Sequence, residues 1–508
     1  MKSMIIIGAG ISGLSAGCYS RMNGYKSRIF EMHNIPGGLC TSWKRKGYTF
    51  DFCIDWMGGV NPGEVDHQIW KELGVLENRK VTYIEELFRL RDTDGRYWRF
   101  HSDPEKLEEE LYKLTFYDAD KLKIKQLCKG IASFIGTHAF SFRKPDILYT
   151  TWDLIKMALE YRSVFKVLVK YNTTLIRDFY NSIKDPRLRE VLSFIYFSPD
   201  IPFTMIPPMY TLTNLRKKNM GYPEGGSLGL ARAIESKYLS LGGEITYKAK
   251  VKRIIVEDNK AVGIVLEDGT EHRADLVISA CDRHRTTYDL LEGKYVHKMV
   301  EKMFREGSVF PSMMRIFFGV KQDFTKEPDT VMYRINHELN IPGIVHEHTN
   351  YFIIRHFSNL EPNFAEPGKS VLVSFYLADY DYWKELHKDK ERYKKAKENV
   401  AAEIMNALED IYPGIGERIE VYDVVTPVTV ERYTGNYRGS IQGFVEDMTE
   451  VKTWINKSGG MHIPGLKNFY QIGQWITLQG LLRVAGGARY AIQTQCRKDH
   501  KKFVASVN

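Results

Sequence analysis

The chain has 508 residues, 43% of them hydrophobic and 27% charged, with a formal net charge of +9. That length is too great for one simple core, since domains usually run about 100–200 residues, and the composition is that of a globular protein rather than a disordered one. No stretch approaches the ~20 uninterrupted apolar residues that cross a bilayer, and the basic excess has no nucleic-acid motif with it: the lysines of Lys384 to Lys397 interleave with Glu385, Asp389 and Glu391, as on a solvated helix.

The first elements read as a βαβ unit. Ser3 to Ile7 is a short apolar strand, Ser12 to Met22 has helical spacing, and Ser27 to Glu31 is a second strand. The apolar start runs straight into glycines without the cleavage pattern of a signal peptide, so a cytoplasmic protein is expected, at most peripheral on the inner membrane face. Between the first strand and the helix stands Gly8-Ala9-Gly10-Ile11-Ser12-Gly13, a GxGxxG in the context that marks a dinucleotide site. Gly8 permits the tight turn, Gly10 lets backbone approach a pyrophosphate, and Gly13 lets the helix pack on the sheet. The helix N-terminus with Ile11 and Ser12 then offers unpaired N–H groups to the phosphates. Glu31 stands near the ~20-residue spacing of a carboxylate that accepts ribose hydroxyls, and its charge disfavours a 2′-phosphate.

Pro36-Gly37-Gly38-Leu39 follows directly. From about Glu85 to Lys218 the chain is rich in aromatic residues and helical pattern. Within it, from Ile147 to Val169, Leu148, Trp152, Ile155, Leu159, Val164, Phe165 and Leu168 cluster at near-helical spacing with Lys156, Arg162, Lys166 and Lys170 between them. A basic amphipathic helix of this kind can lie in a membrane interface, or can equally be a lid with a charged outer face. Gly225-Gly226-Ser227-Leu228-Gly229 has no preceding strand in this reading, so no second dinucleotide site is expected. Strand signals return at Ile245 to Tyr247, Val251 to Val256 and Ala261 to Leu266, with a turn at Asp268-Gly269, then at Asp275 to Ala280 and Ser370 to Leu377. Asn468 to Cys496 reads strand, loop, helix, with Gly473 ending the strand and Gly486-Gly487 further on. Cys18, Cys40, Cys53, Cys128, Cys281 and Cys496 are scattered, with no metal-ligand cluster, and no metal is expected.

The paired glycines Gly37 and Gly38 resemble the second phosphate contact of glutathione-reductase-like and amine-oxidase-like flavoproteins. That resemblance implies FAD, extended across an α/β Rossmann-like domain interleaved with a mixed α+β substrate domain, its flavin end met by the segment from Gly473 onward. With Gly47-Tyr48-Thr49-Phe50-Asp51, Asp185 to Phe194, Pro207-Pro208-Met209-Tyr210, Gly221 to Ser227 and Thr426 to Gly439, the chain resembles the phytoene desaturase, carotenoid isomerase and retinol saturase family nearly end to end. The resemblance implies a cofactor set of Gly8, Gly10, Ile11, Ser12, Gly13, Glu31, Gly37, Gly38, Leu39, Val251, Gly473, Gly480 and Leu481, with Val251 at the adenine. It divides the chain into FAD-binding segments 1–84, 219–295 and 426–508 and substrate segments 85–218 and 296–425. It also implies an FAD-dependent desaturase, saturase or redox-assisted isomerase acting on carbon–carbon double bonds of an apolar isoprenoid or polyene.

Electrons then pass to or from a diffusible quinone, oxygen or redox protein. The alternatives are a flavin amine oxidase, which calls for a flavin-linking cysteine or an aromatic cage, where Cys496 comes too late and Trp475 stands alone, and a non-catalytic lipid escort, whose fold lacks the intact glycines. One departure stands out. Where the family carries a Pro/Gly-rich run, this chain reads Trp475-Ile476-Thr477-Leu478-Gln479-Gly480-Leu481-Leu482-Arg483, and the direction of electron flow stays open. Arg483, Asp51 and Asp55 are the catalytic candidates; His33 and Cys40 are read as local packing.

Overall fold

A computed structural model describes residues 1–137, 148–196, 203–306, 309–345, 349–445, 460–476 and 480–506. Strand Ser3–Ile7 is the centre of a five-stranded parallel sheet. Lys26–Phe30 and then Glu244–Thr246 lie on one side of it, Leu276–Ser279 and then Phe469–Gln471 on the other. Met4 to Ile7 are all buried, which is why this run is apolar without alternation: a parallel sheet is covered on both faces. One face carries helix Ile11–Met22, flanked by Gly226–Ser240 and Leu481–Lys498. The other face is covered by the antiparallel meander Val251–Glu257, Lys260–Leu266 and Glu271–Arg273, where Ile5, Ile7 and Val277 pack with Val251, Ile254 and Ile264. The sheet therefore draws its strands from the first, middle and last parts of the chain.

A second sheet has the order Ile419–Val425, Met313–Val320, Ser370–Leu377, Tyr351–His356, Thr330–Arg334, Arg89–Arg91, Tyr97–Arg99. Helix Lys390–Ile411 buries Val400, Ile404 and Leu408 against it. The lysine-rich run is thus two helices, Tyr380–Leu386 and Lys390–Ile411, and Asp389 caps the second by accepting from the N–H groups of Glu391 and Arg392. The two three-residue strands at 89–99 lie where only helical pattern is expected, because strands that short become visible only through their partners.

The reading of Gly225 to Gly229 is corrected. Strand Met220–Pro223 precedes it, in a small antiparallel sheet with Met57–Gly58 and Val81–Tyr83, and helix Gly226–Ser240 follows. It is nonetheless no phosphate site, because carboxylates hold its N-terminus. Gly225 donates its N–H to Glu361 Oε2 at 2.6 Å, and Ser227 donates its N–H to Asp51 Oδ2 at 2.7 Å and its hydroxyl to Asp51 Oδ1 at 2.5 Å. Asp51 is therefore a cap rather than a catalyst, and it does not line the cavity described below. Burial pushes its carboxyl up to about 6, against the lowering effect of the Ser227 hydrogen bonds. The folded state then holds this proton more tightly than the unfolded chain, so the term favours folding below the ordinary value of 3.8 and is lost as pH rises to about 6. Asp51→Asn is expected to flatten that fall, of the order of 3 kcal/mol, and urea denaturation of wild type and variant at pH 4, 5 and 7 measures it.

Candidate functional site

Gly8 sits at φ +98°, and a Cβ on Gly13 would stand 1.9 Å from the Gly8 carbonyl oxygen. Only this contact of bare backbone lets the first helix dock where it does. Gly37 at φ +113° and Gly38 at φ +60° form a second turn against the first: Gly37 donates its N–H to the Ala9 carbonyl at 2.9 Å, and a Cβ on Gly38 would lie 3.7 Å from Gly10 Cα. A cavity of about 1110 Å³ opens on these turns. That exceeds the roughly 300–1,000 Å³ of a pocket for one small ligand, leaving room for a long cofactor and a second molecule.

The cavity begins at Glu31, Ala249, Lys250 and Val251, passes Gly8, Gly10, Ile11, Ser12, Gly37, Gly38 and Leu39, and reaches Gly473, Trp475, Gly480, Leu481 and Arg483. Gly13 lies beneath it as packing. Thr477, Leu478 and Gln479 of the departing loop lie outside the described residues. The residues at this end fit FAD on three counts. The first helix has Gly10 as N-cap, without a side-chain cap or an acid in its first turn. Ser12 Oγ is buried there without a hydrogen-bond partner. Gly480, at φ +112° and ψ 150°, opens the C-terminal helix with no side-chain cap either. Uncapped N–H groups and an orphaned hydroxyl facing a glycine-lined trough are what a diphosphate satisfies.

Glu31 does more than face a ribose. Its Oε2 accepts the Ala9 N–H at 2.6 Å and its Oε1 the His33 N–H at 2.8 Å, so it also clamps the glycine turn to the end of the second strand. That strand stops at Phe30, and Glu31 continues it by donating its N–H to the Thr246 carbonyl and accepting the Ala249 N–H at its own carbonyl. His33 packs against the Tyr433 ring, 5.1 Å between centroids.

Asp55 reaches the cavity but is spent. Arg315 grips it with two hydrogen bonds of 3.2 and 2.9 Å, and Arg355 stands 3.4 Å from the same carboxylate. Burial pushes this carboxyl up, but the guanidiniums of Arg315 and then Arg355 outweigh it and hold it below the usual range. Asp55 stays ionised and paired, and so is not the general base the sequence offered. Asp282, also in the wall, accepts the N–H groups of Arg285 and Tyr437. Among the described lining residues every carboxylate is thus engaged.

Arg315 is a residue the sequence reading missed, although a lone arginine inside the apolar strand Met313–Val320 was the available signal. Arg483 lines the cavity near Tyr196 and Tyr210 and lowers both phenols against the effect of burial. Beyond them the wall turns apolar, through Phe203, Ile206, Leu168, Tyr161, Met157 and Leu154. The expected single helix at 147–169 is two, Thr151–Tyr161 and Phe165–Tyr171, broken at Arg162 to Val164; Ile147 lies outside the described residues. Nor do its apolar residues share one face. Val164 is buried and Leu168 faces the cavity, whereas Trp152 is 62% and Phe165 62% exposed.

A family model described as flavin containing amine oxidoreductase matches residues 11–489. The chain is 28% identical over 453 residues to a chloroplastic prolycopene isomerase of Daucus carota, covering 86% of this chain and 71% of that one. It is 26% identical over 523 residues to an all-trans-retinol 13,14-reductase of Danio rerio, covering 95% and 84%, and 25% identical over 452 residues to a neurosporene-forming phytoene desaturase of Cereibacter sphaeroides, covering 84% and 82%. Among solved structures, wild-type putrescine oxidase bound to putrescine superposes with a TM-score of 0.62 at 16% identity, covering 98% of this chain and 99% of that one. This last likeness bears on the fold alone.

Gly10→Val is expected to keep the fold, since a Cβ there meets only Gly37 O at 3.9 Å, while filling the trough and abolishing retained flavin. Ser12→Ala should weaken FAD binding about tenfold, the worth of one hydrogen bond to a charged group. Flavin absorbance per folded chain, followed by titration of the stripped protein with FAD, measures both.

Proposed function

This chain belongs to the flavin containing amine oxidoreductase family and is an FAD-dependent oxidoreductase, and within that family we propose that it transforms carbon–carbon double bonds of a long, apolar isoprenoid or polyene. The observation that carries this reading is the apolar and aromatic part of the wall beyond Arg483, from Phe203 and Ile206 to Leu168, Tyr161, Met157 and Leu154 on the helix pair Thr151–Tyr161 and Phe165–Tyr171. The relatives named for carotenoid and retinoid reactions support it.

Bound FAD supplies two-electron chemistry; the chain's own residues supply shape, exclusion of water and control of protons. Among the described lining residues, Glu31 clamps the glycine turn and two guanidiniums neutralise Asp55, while Asp282 accepts two backbone N–H groups and burial pushes its carboxyl up to about 6. The site also has phenols. Burial pushes the Tyr210 hydroxyl up to about 12, so it keeps its proton at neutral pH and acts as a donor toward a polar group or a substrate carbon. Against the amine oxidase, Cys496 lies against Tyr25 outside the cavity lining and offers no link to a flavin; Trp475 lines the cavity with Tyr433 and Tyr490, while Phe304 and Phe444 only pack behind it. The non-catalytic escort is disfavoured by the intact glycine trough.

The substrate enters, in this reading, from a membrane surface, with the protein peripheral on its cytoplasmic side. Trp152, Ile155, Leu159, Phe165 and Val169 are exposed on the helix pair beside Lys156, Arg162, Lys166 and Lys170. Apolar residues that wedge between acyl chains, ringed by cations that meet anionic headgroups at about 1 kcal/mol each, suit that interface. The electron partner is a diffusible quinone, oxygen or redox protein, since carboxylates hold the N-terminus after Gly225.

Anaerobically reduced or oxidised holoprotein, screened with polyenes, steroids, unsaturated acids and primary amines, should change flavin state with polyenes; response to amines alone would overturn the assignment. In co-sedimentation with vesicles containing anionic lipid, Trp152→Asp/Phe165→Asp should bind at least tenfold more weakly while keeping its flavin. Unchanged binding would remove the membrane route.

A further inference from the structure

Cys40 and Cys53 are 13 residues apart in sequence and look unrelated there. The structure sets them face to face. Hairpin strands Ser42–Arg45 and Tyr48–Asp51 pair Ser42 with Asp51 and Arg45 with Tyr48, and beyond them Phe52 donates its N–H to the Thr41 carbonyl at 3.1 Å. The same register continued one step opposes Cys40 to Cys53, and their sulfurs are 3.4 Å apart. Residues opposed across antiparallel strands have Cβ atoms about 4.5–5.5 Å apart, close to the ~3.5–4.5 Å of a disulfide. Modest rotations of χ1 bring the sulfurs to bonding distance.

Both residues line the cofactor cavity. Cys40 is tied to the paired-glycine turn by its N–H to the Gly37 carbonyl at 3.0 Å, and Cys53 stands two residues before Asp55, which Arg315 and Arg355 anchor. The backbone on either side is therefore fixed with the thiols converging. The remaining thiols are placed otherwise: Cys18 contacts the Ile234 carbonyl, Cys281 the Ile7 carbonyl and Cys496 the Tyr25 hydroxyl, while Cys128 is buried in helix Asp118–Ile135.

We propose that Cys40 and Cys53 form a reversible dithiol–disulfide couple in the wall of the cofactor cavity, exchanging two electrons with a small disulfide or dithiol that enters by its mouth. Cys53, the more exposed, gives up its proton to solvent and attacks one sulfur of the small disulfide; that S–S bond breaks, one small thiolate leaves and takes up a proton, and a mixed disulfide remains on Cys53. Cys40 then loses its proton and attacks Cys53 Sγ, releasing the second small thiol. Two protein thiols and one small disulfide become one protein disulfide and two small thiols. The hydrogen bond to Cys53, then burial, raises the Cys40 thiol, so the less buried Cys53 is the one that attacks first. The couple is a property of the cavity wall and does not depend on the substrate proposed above.

The test uses the full-length FAD-loaded protein, incubated without oxygen in glutathione buffers from fully reduced to fully oxidised, then alkylated and peptide-mapped. Free thiols should fall from six toward four per chain, with one linked pair containing Cys40 and Cys53, and dithiothreitol should restore them. Cys40→Ser should stop at a glutathione adduct on Cys53, and Cys53→Ser should leave Cys40 unmodified. If wild-type Cys40 and Cys53 both remain alkylated as free thiols at every ratio, or if another pair oxidises instead, the couple does not exist. The readout is covalent mass, so it stands apart from any failure to turn over a polyene.

Discussion

The Glu31 carboxylate accepting the Ala9 N–H at 2.6 Å joins the two things a dinucleotide site needs. It holds the glycine turn to the end of the neighbouring strand, and it keeps one negative charge at the mouth of an otherwise electropositive helix start. A carboxylate has about four lone-pair sites, and the turn and His33 take two of them, leaving others for a ribose. Because the Ala9 carbonyl in turn accepts the Gly37 N–H, one chain of hydrogen bonds runs from strand end to first glycine turn to second. Loosening any member moves the floor of the cavity.

Charge in the rest of the cavity is similarly committed. Asp55 answers two buried guanidiniums, Asp282 two backbone N–H groups, and Asp51, just behind the wall, the start of a helix. Unpaired buried charge is costly, so these carboxylates serve structure first, and the wall adds phenols, the indoles of Trp56 and Trp475, the Arg483 guanidinium and apolar surface. Such a wall suits a substrate with little to hydrogen-bond and a reaction in which the cofactor handles the electrons.

The helix pair at Thr151–Tyr161 and Phe165–Tyr171 carries apolar residues toward both the cavity and the outside. A helix pair with two apolar sides serves an ordinary soluble surface poorly. It suits a gate between a cavity and a nonpolar phase, and both helices have two such sides: Met157 lines the cavity while Trp152 and Leu159 are exposed, and Leu168 lines it while Phe165 and Val169 are exposed.

The glycine trough, its acidic strand end and the strand–loop–helix at the C-terminus were legible in the sequence, because positive φ, a carbonyl pressed against a Cα and an uncapped helix start are local demands that only certain residues meet. The partners of Asp51, Asp55 and Cys40 were not. Asp51 meets Ser227, Asp55 meets Arg315 and Arg355, and Cys40 meets Cys53, contacts made by strand register and sheet packing rather than by neighbouring positions. A carboxylate near a cofactor motif reads the same whether free or neutralised; which it is depends on charges far along the chain that only the folded structure brings within 3 or 4 Å. The residue types at the flavin site were thus set by backbone geometry written locally, whereas the protonation, pairing and reactivity of the cavity were settled by tertiary contacts, because electrostatic and covalent partners are chosen in space.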